Sequence, residues 1–369
     1  MNYISFDYNE ESSGVKNKID YQMKSFQNNG FEVKLLKANP KTNSFKRSLE
    51  INKKLKFCTK EIFYIRNFGI KLIFYLNLFR NLQKRNNILI LEIPTPIKTS
   101  KEENKNSKAN LLKRTTKNVL IDIVYPKVLK HFDIIVEYGP EGSKYTRKIQ
   151  EKFIYINNGI DVKNIKMINK NHDNKLTFLT VAHVAFWHGY DRIIKGLHEY
   201  YKINPEKEVF YHCVGEGPEL TNLKKLTKEL NLEKYVIFHG TKTGEDLDKV
   251  VDECDIALGS LGNHRKGLYA DSALKNREYC ARGIPFVIAS DDQDFPETFP
   301  FVYRIPKDDS PVDINQVIKW YESLIKEYPN YSIEMRKYAE ENLSWDAKMK
   351  PVIEKIKELA KEKERKPTT

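Results

Sequence analysis

Apolar positions along this chain cluster into short runs rather than one long repeating stripe. In the first half the runs are YISFDY (3–8), FEVKLLK (31–37), EIFYIR (61–66), NILILEIP (87–94), DIIVEYG (133–139) and KFIYINNG (152–159). In the second half they are LTFLTVAH (176–183), EVFYHCVG (208–215), YVIFHG (235–240), DIALGSLG (255–262) and PFVIAS (285–290). Nearly continuous apolar runs of this length predict strands buried on both faces, as parallel sheets require. The segments between them, among them 68–84 and a basic stretch around 107–131, predict crossover helices. The alternation predicts an α/β chain of two doubly wound units. Their join is expected near Asn158-Gly159-Ile160-Asp161 and the polar stretch 167–175. Such sheets bind ligands beyond the carboxyl ends of their strands, and two facing sheets would enclose a cleft.

Composition narrows this picture. A length of 369 residues fits two domains, and 40% hydrophobic residues suffice for two cores. Cys58, Cys213, Cys254 and Cys280 share no metal-like spacing and are expected as buried thiols in a reducing compartment. Asp7, Glu10 and Glu11 interrupt the start, where an export signal needs an apolar run. Arg66, Asn67, Lys71 and Asn77 break the apolar region 62–79, so no clean membrane span is expected there.

The net charge of +13 is uneven. Residues 1–170 hold 33 Lys and Arg against 16 Asp and Glu, whereas the rest holds 30 against 34. A basic half suits nucleic acid, an anionic membrane, or simply a lysine-rich composition. No RNP, KH or helix-turn-helix pattern supports nucleic acid. The stretch KANLLKRTTKNVLIDIVYPKVLK (108–130) interleaves basic and aliphatic residues; it is either a helix with a solvated basic face or a docking element for anionic lipid.

Candidate chemistry concentrates in SALKNREYCARGIP (272–285). Asp271 or Ser272 can cap a helix that ends at Arg282, where Gly283 and Pro285 stop it. Lys275 then lies in the first turn, where unpaired N–H groups already favour an anion such as a diphosphate. Glu278, three residues on, could accept hydrogen bonds from the vicinal hydroxyls of a ribose. The plainer alternative is a Lys275–Glu278 surface pair, which contributes only tenths of a kcal/mol. Asp292-Gln293-Asp294 is a weak candidate metal motif. Glu92 ends a buried strand and either meets a sugar or acceptor or caps a helix. Gly14 either lets the first loop approach a phosphate or is a turn glycine.

NGID (158–161), WHGYDRIIKGLHEYY (187–201), VGEGPELTNLKKL (214–226), VIFHG (236–240) and LKNREYCARGIPFVIAS (274–290) occur in one order. With SSGVKNKIDYQMKSFQNNGFEV (12–33), LEIPT (91–95) and Ser344-Trp345, they resemble the retaining GT-B glycosyltransferases of family 4, in particular the bacterial capsule and exopolysaccharide branch. The resemblance implies two Rossmann-like domains, 1–165 and 166–345, facing across a cleft that closes over the ligands. It also implies a helix over 346–369 that crosses back to the first domain before a frayed tail. It implies a nucleotide-sugar donor, expected to be UDP-linked, and a glycan or lipid-linked acceptor. No cofactor or metal is implied, and the work would be done in the cytoplasm on the inner face of the membrane. Glu278 matches the second acid of the family's E-x7-E pattern and would hold the ribose. The first acid is absent: Ala270 stands there, and only Asp271 is close. The family's phosphate-flanking Arg and Lys are replaced by His183 and His188, so the diphosphate would rely on Lys275, with help from His188-Gly189 or from Arg265 and Lys266. A nucleotide-sugar 2-epimerase on the same fold is the enzymatic alternative.

Overall fold

A computed structural model of the chain describes residues 1–5, 13–37, 44–66, 69–95, 100–101, 111–138, 149–168 and 175–365. Contacts divide the chain into two units, Met1–Asn157 with Lys348–Thr369, and Asn158–Ala347.

In the first unit the apolar runs become β1 (Asn2–Ser5), β2 (Lys34–Lys37), β3 (Ile62–Arg66), β4 (Ile88–Ile93), β5 (Ile134–Tyr138) and β6 (Phe153–Ile156). They form one parallel sheet in the order β2-β1-β3-β4-β5-β6. Every residue of β4 is buried, as its unbroken apolar sequence requires. Helices α1 (Ser13–Asn28), α2 (Ser44–Leu55), α3 (Leu76–Lys84) and α4 (Leu111–Leu129) connect the strands. The segment 68–84, expected as one helix, is a 3-10 helix over Gly69–Tyr75 followed by α3.

The second unit contains β7 (Leu176–Val181), β8 (Val209–Val214), β9 (Val236–Gly240), β10 (Ile256–Leu258), β11 (Phe286–Ile288) and β12 (Val302–Arg304). Their parallel order is β12-β11-β10-β7-β8-β9, the doubly wound arrangement expected. Strand β12 was not foreseen, because three residues beside a Phe-Pro turn carry too little pattern. The helices are α5 (Asp191–Tyr201), α6 (Leu220–Glu229), α7 (Gly244–Asp252), α8 (Leu274–Arg282), α9 (Ile314–Glu327) and α10 (Tyr331–Asn342). Separate apolar clusters cover the two faces of this sheet.

The chain's entry into the second unit is zipped to its exit. Ile160 bridges Ser344, and Ile160 and Trp345 each donate an N–H to the other strand. A Cβ on Gly159 would sit 2.7 Å from the Trp345 ring, so only glycine fits. Helix α11 (Trp345–Arg365) then passes into the first unit. The expected frayed tail is helical as far as Arg365, and Lys363 anchors it by donating to the Asn87 carbonyl (2.6 Å) and to Asp133 (3.2 Å). Among the described residues no helix is long and apolar enough to cross a membrane. None of the four cysteines forms a disulfide, and three of them are buried.

Candidate functional site

Strands β7 and β10 are neighbours whose chains depart to opposite sides, toward β8 and β11. The loops beyond their carboxyl ends therefore diverge and leave room for a ligand. After β7 a 3-10 turn over Phe186–His188 ends at Gly189, which has φ +67°. After β10 the chain passes Leu261 and Gly262 into a second 3-10 turn, Asn263–Lys266. The two loops touch backbone to backbone: Leu261 donates its N–H to the His188 carbonyl at 2.7 Å. A Cβ on Gly189 would lie 2.7 Å from the Gly262 nitrogen, and the left-handed φ excludes other residues independently. Arg192, fully buried, fixes this contact by donating to the Leu261 carbonyl.

Helix α8 points its N-terminus into this region. The expected cap by Asp271 or Ser272 is absent: Ala273 holds the capping position and offers no side-chain acceptor. Asp271 is turned aside to accept from Asn263 at 2.8 Å. The first-turn N–H groups thus lack a side-chain partner and can meet an anion. Lys275 sits in that turn and donates to the Tyr190 hydroxyl at 3.0 Å, not to Glu278. Burial lowers its pKa to about 8, and Lys266 adds to the effect while Asp271 opposes it. A cation held against its solvation preference gains when an anion arrives.

Tyr190 also stacks on His188, with ring centroids 5.4 Å apart and an interplanar angle of 20°. The Ala185 N–H donates to His188 Nδ1 at 3.2 Å, so the neutral ring carries its proton on Nε2. Burial, with Lys275, Lys266 and His183, depresses the His188 pKa to about 3, so the ring stays a neutral donor. His183 is exposed beside it. Tyr190 was not foreseen as part of the site. The available signal was its place after the glycine of WHGYD.

Glu278 is accessible to solvent, yet the protein around it raises its carboxyl pKa, with Arg282 pulling the other way. Water reaches it, but less freely than at an open surface. It is not the partner of Lys275, so the surface-pair reading lacks its bond.

Arg277, between these two, does something different. Fully buried, it grips Asp292 and Asp294, with one contact of 3.0 Å to Asp292 Oδ1. Burial works against its charge, but the two carboxylates outweigh that and leave the guanidinium pKa raised. Asp292-Gln293-Asp294, the weak candidate metal motif, is therefore the acidic half of a structural clamp. Among the described residues no group of three or more His, Cys, Asp or Glu could hold a metal. Arg265 differs from expectation in the same way. Its fork takes Asp191 at 2.8 and 3.0 Å, and Asp309 binds its Nε at 2.7 Å, so it braces the loop and is not open to a phosphate.

Gly14 and Glu92 belong to the first unit. Gly14 is in the first turn of α1, and residues 6–12 before it lie outside the described residues. Glu92, expected either to meet a sugar or acceptor or to cap a helix, is instead paired within its own sheet. It is fully buried and ion-paired with its register partner Arg66, while Tyr3 donates to it at 3.3 Å and the Lys18 ammonium lies 3.9 Å away. A buried carboxylate needs such partners, and they occupy it.

Residues 161–300 match a family model described as Glycosyl transferases group 1. No curated protein matches the sequence. Similar solved structures include Anabaena Alr3699/HepE in complex with UDP, at TM-score 0.60 and 12% identity over 97% of this chain and 99% of that one. A glycosyltransferase from Rickettsia africae aligns at TM-score 0.60 and 12% identity, over 99% and 98% of the two chains. Sucrose-phosphate synthase from Thermosynechococcus elongatus aligns at 0.60 and 12%, over 98% of each. The chain thus has the GT-B fold, and His188, Tyr190, Lys275 and Glu278 lie within the segment that matches the glycosyl transferases group 1 model.

Proposed function

We propose that the protein is a retaining glycosyltransferase that moves a sugar from a UDP-sugar to a glycan or lipid-linked acceptor in cell-surface polysaccharide synthesis. It would act at the inner face of the cytoplasmic membrane and without a metal ion. The observation that carries this reading is the uncapped N-terminus of α8 with Lys275 in its first turn, held by Tyr190. The group 1 match over the same residues supports it, as does the GT-B likeness to a protein solved with UDP.

In this reading the diphosphate lies against the α8 N–H groups, the Lys275 ammonium and the His188 Nε2–H. As the anomeric C–O bond breaks, charge grows on the departing phosphate oxygen, where these donors already point. The acceptor hydroxyl attacks from the same face, and its proton passes to that oxygen. Glu278 accepts from the ribose hydroxyls.

Calorimetry with UDP and with inorganic diphosphate tests the arrangement. Lys275→Ala should weaken both ligands about tenfold or more, since a charged contact contributes ~1.5–3 kcal/mol. Glu278→Gln should weaken UDP alone. Near-wild-type affinity for UDP in both variants would place the nucleotide elsewhere. An epimerised nucleotide sugar as product, with no UDP released, would replace transfer by isomerisation.

A further inference from the structure

Helix α8 sets the direction of a bound nucleotide sugar. Glu278 lies about one turn after Lys275. With the ribose on Glu278 and the diphosphate at Lys275, the sugar on the far phosphate extends past the helix N-terminus. The segments it meets there are 182–190 after β7 and 259–273 after β10, with 289–294 after β11 beside them. Main-chain hydrogen bonds pin the middle segment. Leu268 donates to the Asn263 carbonyl at 3.2 Å, and Asp271 donates to Asp291 and Asp291 to Tyr269, each at 2.8 Å.

Every acid on these segments is already engaged. Asp271 accepts from Asn263 at 2.8 Å, Asp291 pairs with Lys307 at 2.7 Å, and Arg277 holds both Asp292 and Asp294. What this end of the sheet presents instead is apolar. Phe186 and Tyr269 are each 57% exposed, Leu274 is 50% exposed, and Trp187 and Leu268 are each 39% exposed. Two of them adjoin the anion position. The Trp187 ring lies 6.1 Å from that of His188, with the Lys266 ammonium 4.7 Å over it, and Leu274 immediately precedes Lys275. Single exposed apolar residues are ordinary, but a group of them gathered beside an anion site marks a ligand contact.

We infer that the donor sugar is an N-acetylhexosamine whose acetamido methyl packs against Trp187 and Leu274, with Tyr269 beside them. The inference rests on the UDP-sugar reading above and deepens it. The substituent on C2 is one bond from the anomeric carbon, so it is held near the diphosphate and near these side chains. A hexose with a hydroxyl at C2 would give up hydrogen bonds to water against an apolar surface whose neighbouring carboxylates are already engaged. A methyl group at the same place gains by leaving water.

The test is calorimetry of the full chain with UDP and with two pairs of UDP-sugars: N-acetylglucosamine against glucose, and N-acetylgalactosamine against galactose. The members of a pair differ only at C2. In at least one pair the acetamido sugar should bind about tenfold tighter, the discrimination that an apolar contact with one small group supplies. Trp187→Ala combined with Tyr269→Ser should bring that ratio close to one and leave the affinity for UDP itself unchanged. Leu274→Ala should lower the ratio in the same direction. These positions are exposed, so the variants should melt with wild type. A ratio near one in both pairs, or a ratio that the variants leave intact, overturns the inference while UDP binding upholds the functional reading. A wild type that binds no UDP overturns both.

Discussion

Within SALKNREY three charges that look alike in sequence have three separate roles. Lys275 is held by Tyr190 in the first turn of α8, Arg277 is spent on Asp292 and Asp294, and Glu278 stays accessible. The depressed Lys275 pKa has a measurable consequence. A diphosphate favours the charged amine, so binding above about pH 8 must draw a proton from solution. Affinity should be level at neutral pH and fall as pH rises past that value, approaching about tenfold per pH unit. Calorimetry in buffers of different ionisation enthalpy should show proton uptake over that range. Constant affinity to about pH 9.5 without uptake would remove Lys275 from the phosphate. For folding the sign is opposite. The folded pKa lies below the model value of 10.5, so the unfolded chain binds more protons in between and stability rises across that window. Lys275→Met should therefore stabilise the unliganded protein at neutral pH, by roughly 1–3 kcal/mol, while it weakens diphosphate binding about tenfold or more.

Among the elements, β8 and β9 carry a second titration unconnected with the ligand. His212 is buried, its ring 4.8 Å from that of His239, and its Nδ1 has no hydrogen-bond partner. Burial, with His239 adding to it, lowers its pKa to about 4. The unfolded histidine takes up its proton first, so stability is lost as pH falls below the ordinary value of 6.5 and continues to fall toward the folded value. Between about pH 7.5 and about pH 5 this amounts to ~2 kcal/mol. His212→Phe should keep its melting temperature over that interval better than wild type does. Equal acid sensitivity in the two proteins would show that the loss arises elsewhere. The alternation of elements was legible because the inner strands, β4, β5 and β7 among them, are buried on both faces, which leaves a nearly unbroken apolar run. Strand β12 and the 3-10 start of 69–84 were not, since short or irregular segments are set by neighbours and not by period.

For the whole molecule, the chain returns to its first unit through α11, whose Val352, Ile353 and Ile356 are almost fully buried. Burying side chains of this kind contributes about 1.5–3 kcal/mol each, so the helix stabilises the folded chain. Ending the chain after Lys350 should lower the melting temperature markedly and expose apolar surface to a hydrophobic dye. Lys363→Ala, which removes only the contacts to Asn87 and Asp133, should cost about 1 kcal/mol. A truncated chain as stable as wild type would make the helix an appendage.

The sequence by itself determined every described strand but β12, the stop of α8 at Gly283-Ile284-Pro285, and the placing of Lys275 in a first helical turn. Each of these depends on residues within a few positions of one another. Only the tertiary structure decided which charges are available. Arg277 meets carboxylates 15 and 17 residues away, Arg265 meets Asp191 from another loop, and Glu92 meets Arg66 across a strand pair. Tyr190 joins His188 to Lys275 in the same way. Whether an ionised side chain is spent or free depends on its desolvation and on the partner the fold brings to it, and neither is a property of its neighbours in sequence.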